Sequence, residues 1–68
     1  MSNLKRIRES AGLSQSQLAD KSGVNVRTIQ NYEQGFKDIN KAAGMTLYKL
    51  SNVLDCKIED LLEKAPGN

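Results

Sequence analysis

Residues 13–35 leave the chain little freedom. Ser14-Gln15-Ser16-Gln17 reads as a capping box, in which the Ser14 hydroxyl takes the Gln17 amide proton and the Gln17 side chain returns to the Ser14 amide. Leu13, just before the cap, is placed to staple against Leu18 one turn in, so a helix must begin at this serine. Gly23 ends it after about two and a half turns, a length too short to be stable without packing on neighbours. The device then repeats, with Asn25 as cap, Val24 stapled to Ile29 and Gly35 as the stop of a helix from about 26 to 34. Only about two residues separate the pair, and a turn that tight makes the helices cross steeply instead of lying antiparallel.

The flanks supply the rest of a small core. Leu4, Ile7 and Ala11 fall at helical spacing, Ser2 or Asn3 can accept from the first free amides, and Gly12 offers a left-handed stop, which predicts a first helix over about Asn3 to Ala11. Phe36 to Lys41 lacks helical periodicity and reads as an exposed basic loop with two apolar anchors, Phe36 and Ile39. Leu47, Leu50, Val53 and Leu54 predict a fourth helix from about Ala43 to Leu54, its start weakened by Gly44. A short fifth helix, about Ile58 to Glu63, has Glu59 and Asp60 in its first turn, with Cys56 in the corner before it. The expectation is an all-α, compact five-helix bundle built around a helix-turn-helix, with residues 1–64 as one domain and 65–68 as a flexible tail.

Composition narrows function more by exclusion than by assertion. Sixty-eight residues with 38% hydrophobic and 26% charged side chains make a single globular domain with a thin aliphatic core. A lone Cys56 and no His rule out an internal disulfide and a zinc module, and point to a reducing, cytoplasmic compartment. No apolar run is long enough for a signal peptide or a membrane span. No nucleophile sits beside a base and no glycine loop could cradle a phosphate, so an enzyme is not expected, nor is a metal, a cofactor or a small-molecule ligand. Glu59, Asp60 and Glu63 read as a solvated face, Met45 and Cys56 as soft core fillers, and Tyr48 as a half-exposed packing residue.

Net charge is only +2, but the basic residues gather at the front. Up to Lys41 the chain has Lys5, Arg6, Arg8, Lys21, Arg27, Lys37 and Lys41 against Glu9, Asp20, Glu33 and Asp38, and beyond it acids slightly outnumber bases. That asymmetry is compatible with a polyanion and does not by itself identify one. The third helix is more informative. At about 100° per residue it places Ile29, Tyr32 and Glu33 on one side and Arg27, Gln30, Asn31 and Gln34 on the other. Arg can donate bidentately to guanine, Asn and Gln can pair with the adenine edge, and Thr28 can hydrogen-bond a base or meet a thymine methyl. Most polar helix faces are merely solvated; the tight turn beside this one favours base reading.

The stretch Leu13-Ser14-Gln15-Ser16-Gln17-Leu18-Ala19-Asp20-Lys21-Ser22-Gly23, followed by Ile29-Gln30-Asn31-Tyr32-Glu33-Gln34-Gly35, resembles the phage-repressor and Cro-type helix-turn-helix family, also called the XRE family. Asp55-Cys56-Lys57-Ile58-Glu59-Asp60-Leu61-Leu62 is similar to its usual final turn and helix, so the resemblance spans residues 3 to about 63. It implies a lambda-repressor-like fold and double-stranded DNA as partner. Carried over, the family's base-reading positions fall on Val26, Arg27, Thr28 and Asn31, with Gln30 as an addition. Val26 departs from the polar residue common there, and either meets a thymine methyl or closes the helix start. The family's phosphate clamp falls on Gln15; Asn25, Gln34, Lys37, Asn40 and Lys41 are further candidates for phosphate contact. The stretch after Gly35 is several residues longer than in the best-known phage repressors, so it either reaches the DNA backbone or is a plain surface loop with Phe36 and Ile39 tucked inward. Arg8 and Glu33 occupy positions where the family often has an interhelical salt bridge.

One short helix reads few bases, so the resemblance implies a homodimer, its interface near Ile58, Leu61 and Leu62 unless the core consumes those side chains. The expected function is sequence-specific transcriptional regulation, as a repressor. The alternative is a protein-interaction module, such as an antitoxin or adaptor, that keeps the fold and binds through its acidic carboxyl-terminal face.

Overall fold

Caps and stops, more than helix propensity, set the element boundaries. In the computed structural model, which describes residues 2–63, five helices follow in order: α1 (Asn3–Ser10), α2 (Gln15–Ser22), α3 (Val26–Gln34), α4 (Gly44–Leu54) and α5 (Ile58–Leu61), with a 3-10 turn over Ile39–Lys41 before α4. The expected tail, residues 65–68, and Lys64 lie outside the described residues.

At α1 the Ser2 side chain accepts from the Lys5 amide. At α2 both arms of the capping box form: Gln17 N donates to Ser14 Oγ at 3.0 Å and Ser14 N donates to Gln17 Oε1 at 2.8 Å. At α3 Asn25 Oδ1 accepts from Arg27 N at 2.7 Å. Gly23 closes α2 with a φ of 77°, a left-handed conformation that costs glycine little and is strained for other residues.

The core is a single cluster of Leu4, Leu18, Val24, Ile29, Ile39, Leu47, Leu50, Leu54 and Leu61. Each helix contributes at least one side chain, and Ile29 and Leu18 have no exposed surface at all. Ile29 therefore fills the wedge between α2 and α3, and Ala19 packs beside it against the same cluster.

The carboxyl half departs from the sequence expectation in four places. The loop after Gly35 is not structureless: Asp38 accepts from the Asn40 amide and starts the 3-10 turn, which drives Ile39 inward. Phe36 is not an inward anchor; it stands 75% exposed. Met45, expected in the core, is 63% exposed, because the inner side of α4 is already filled by Leu47, Leu50 and Leu54. Finally, α5 stops at Leu61 instead of reaching Glu63. Asn3 Nδ2 donates to the Leu62 carbonyl and Glu63 N donates to Asn40 Oδ1, so tertiary partners take the groups a further helical turn would have used.

Candidate nucleic-acid interface

The polar side of α3 is built on a locked inner side. Glu33 projects inward from α3 and Arg8 from α1, and they pair with Arg8 Nε donating to Glu33 Oε2 at 2.7 Å and Arg8 Nη2 donating to Glu33 Oε1 at 3.0 Å. The two side chains are 9% and 2% exposed, so the pair is nearly sealed from water. Arg8 Nη1 also donates to the Leu13 carbonyl at 2.8 Å, which joins α1 to the entry of α2. The hydrogen bonds that Arg8 donates to Glu33 raise the pKa of its guanidinium above the already high ordinary value, overcoming the desolvation that pulls the other way. Among the described residues no buried side-chain nitrogen or oxygen lacks a partner, so the arrangement is a satisfied network and not a strained one.

With Ile29 and Glu33 fixed inside, the opposite side of α3 must face out. Arg27 and Gln34 are exposed, and Thr28, Gln30 and Asn31 are half-buried at its flank. Val26, also half-buried, lines a groove of about 530 Å³ at the corner between α2 and α3, together with Ser16, Ala19, Asp20, Gly23, Val24 and Asn25. Among the described residues, Arg27, Thr28 and Asn31 make no side-chain hydrogen bond within the protein, which leaves their donors and acceptors for a ligand. Asn25 differs, since its oxygen is committed to capping.

The expected phosphate-contacting residues divide into three kinds. Lys37 and Lys41 are exposed, and Lys37 is held close to α3 because its amide and that of Phe36 both donate to the Asn31 carbonyl. Gln15, at the first position of α2, is half-buried and already engaged, donating through Nε2 to Glu33 Oε1 at 2.9 Å and accepting from Gln30 Nε2 at 3.4 Å. Asn40 is spent elsewhere. Its Nδ2 donates to the Glu63 carbonyl and its Oδ1 accepts from the Glu63 amide, both at 2.8 Å, so this candidate for phosphate contact has its side chain engaged as a clasp on Glu63.

The expected dimer residues also sort by exposure. Leu61 has no exposed surface and belongs to the core, Leu62 is half-buried against it, and Ile58 is 37% exposed. Sequence reasoning missed the role of Asn3, which donates through its backbone amide to Glu63 Oε2 at 2.7 Å and through Nδ2 to the Leu62 carbonyl. It also missed the link from Gln15 to Gln30. These contacts join residues 59 to 60 and 15 positions apart, beyond the reach of any local pattern.

A short α2, a left-handed glycine corner and a following helix with a sealed inner side and a polar outer side define a helix-turn-helix domain. A family model described as Helix-turn-helix matches residues 4–61, nearly the whole chain, and the chain belongs to that family, of the phage-repressor and Cro type. It is a family of DNA-binding domains of the transcription-regulator kind and not one of enzymes. No curated protein matches the chain. Among the described residues no helix is long and apolar enough to cross a membrane.

Proposed function

We propose that this protein is a sequence-specific transcription regulator, a repressor, that binds double-stranded DNA as a homodimer and inserts α3 into the major groove. The observation that supports this reading best is the division of α3. Ile29 and Glu33 anchor it, while Arg27, Thr28 and Asn31 stand on its outer side with no partner among the described residues. Arg27 suits guanine, Asn31 suits adenine, Thr28 suits a base edge or a thymine methyl, and Val26 at the helix start is placed for a methyl contact. Gln30 adds a second amide.

Phosphates flank such a helix, and the free first-turn amides of α2 beside Gln15 suit one of them, because a helix amino terminus carries partial positive charge. Asn25, Gln34, Lys37 and Lys41 extend the track. The second copy is required by information content: nine residues of helix read only a few base pairs, and a twofold dimer places two such helices about 34 Å apart on successive major grooves. Ile58 on α5 and Leu62 just past its end, with Met45 and Tyr48 exposed on α4, provide the apolar surface for it, and Leu61 supports them from beneath.

Selection of bound duplexes from a random pool tests this reading. The expected result is one preferred sequence with twofold symmetry, bound less tightly as salt rises. Capture of no duplex, with salt-insensitive binding to a single protein instead, would establish the interaction-module alternative.

A further inference from the structure

The buried ion pair of this domain faces more than its own partner. Glu33 is a carboxylate with its side chain 2% exposed, and it receives three donors: Arg8 Nε, Arg8 Nη2 and Gln15 Nε2. An ionised carboxylate can only accept, so Gln15 can present only its NH2 group to it. The orientation of that amide, which is ambiguous in an isolated glutamine, is thereby fixed. Its oxygen turns the other way, and there it accepts from Gln30 Nε2 at 3.4 Å. Gln30 in turn has its nitrogen end held, with its oxygen and second N–H uncommitted among the described residues. That oxygen and N–H side by side are the pattern that pairs with the edge of adenine.

We infer that Glu33, backed by Arg8, is a positioning residue for DNA recognition: through Gln15 it sets which end of the Gln30 amide the recognition helix offers to a base. The inference deepens the proposed function and rests on α3 being the recognition helix. An interior ion pair that looks purely structural thus reaches the outer side of α3 in two steps, carboxylate to Gln15 and Gln15 to Gln30. The second step, at 3.4 Å, is the long one and the first to break. It also gives Gln15 a role apart from touching a phosphate: it orients a neighbour's side chain. Arg27 and Asn31 make no link to this relay, so they provide internal controls.

The test uses the full chain and two variants, Gln15→Ala and Glu33→Gln. Glu33→Gln can lose the fold along with the ion pair; Gln15→Ala leaves Arg8 and Glu33 in place. Side-chain amide signals in proton–nitrogen NMR of the free protein report the relay without DNA. In the parent chain the Gln15 and Gln30 NH2 protons should exchange more slowly than an exposed glutamine's, and in Gln15→Ala the Gln30 signals should move to solvent-exposed values. Duplex selection then reads the consequence: Gln15→Ala should lose about tenfold discrimination at one base pair per half-site and keep its preference at the positions read by Arg27 and Asn31. Gln30 signals unmoved in Gln15→Ala would overturn the inference. So would a shift of those signals with base preference unchanged while Asn31→Ala does alter it; the reading of α3 would then stand. A pool from which the parent chain selects nothing would overturn both.

Discussion

The two halves of this domain are held by different means. Residues 2–35 are secured locally: each of α1, α2 and α3 has a side-chain cap, α2 and α3 end on left-handed glycines, and the Arg8–Glu33 pair ties the first helix to the third. Residues 36–63 have fewer such devices. α4 has no side-chain acceptor at its cap, α5 has one arm of a capping box, with Lys57 N donating to Asp60 Oδ2 at 3.1 Å, the left-handed residue closing α4 is Asp55 in place of glycine, and the last two described residues are fastened by Asn3 and Asn40. The difference teaches that in the half expected to meet DNA the helix ends are fixed mostly by residues close in sequence, whereas the end of the other half is fastened by contacts from distant parts of the chain.

Breaking the first half should cost most. Arg8→Ala strands the Glu33 carboxylate in the interior, and thermal or denaturant melts should show a loss of about 3 to 5 kcal/mol. Arg8→Met restores packing volume and still leaves that charge unpaired, so it should recover only part of the loss. An unchanged melt in both variants would mean that water reaches the pair and that it is worth about 1 kcal/mol or less.

The clasp of the other half comes next. Asn40→Ala removes two hydrogen bonds to the Glu63 backbone and should lower stability by about 1 to 2 kcal/mol, with hydrogen exchange at the Glu63 amide speeding up before that of the core. Equal acceleration throughout the domain would show that the two halves open as one.

Capping sharpens the contrast in both directions. Ser14→Ala should destabilise by about 1 kcal/mol through the loss of the capping box, and Ala43→Asp should stabilise by a similar amount by giving α4 the acceptor it lacks. If Ala43→Asp were neutral, α4 would already be satisfied by its packing on α2 and α5.

The smallest effect concerns pH. Burial, followed by the nearby Asp60 and Asp55 charges, pushes the Cys56 thiol above its ordinary value near 9.0. The folded state therefore holds that proton more tightly than the unfolded chain. The resulting stability is present below the unfolded value and is lost as pH rises through the folded one. Comparing melts at pH 8 and about pH 10, the parent chain should lose more stability than Cys56→Ala. Parallel losses would remove Cys56 from the account.

What the sequence revealed and what it hid follows the same division. Ser14, Gln17, Gly23, Asn25 and Gly35 act within a few residues of themselves, so a linear reading finds them. Arg8 and Glu33 lie 25 positions apart and were legible only through a family likeness. Asp38 followed two residues later by Asn40 is a local turn signal for the 3-10 turn, one that helical periodicity does not detect. Phe36 and Met45 are exposed although large and apolar, because the rule that apolar side chains are buried holds in one direction only. The clasp and the Gln15–Gln30 link had no local signal, since each partner is made relevant only by the completed fold.

The central claim is that the outer side of α3 reads bases, and single-base discrimination by Asn31→Ala measures it most directly. On the duplex selected by the parent chain and its single-pair variants, Asn31→Ala should lose about 1 to 3 kcal/mol of discrimination at one base pair per half-site, while Lys41→Ala should weaken every duplex alike. Base preference left intact by Asn31→Ala and by Arg27→Ala, in folded protein, would contradict it.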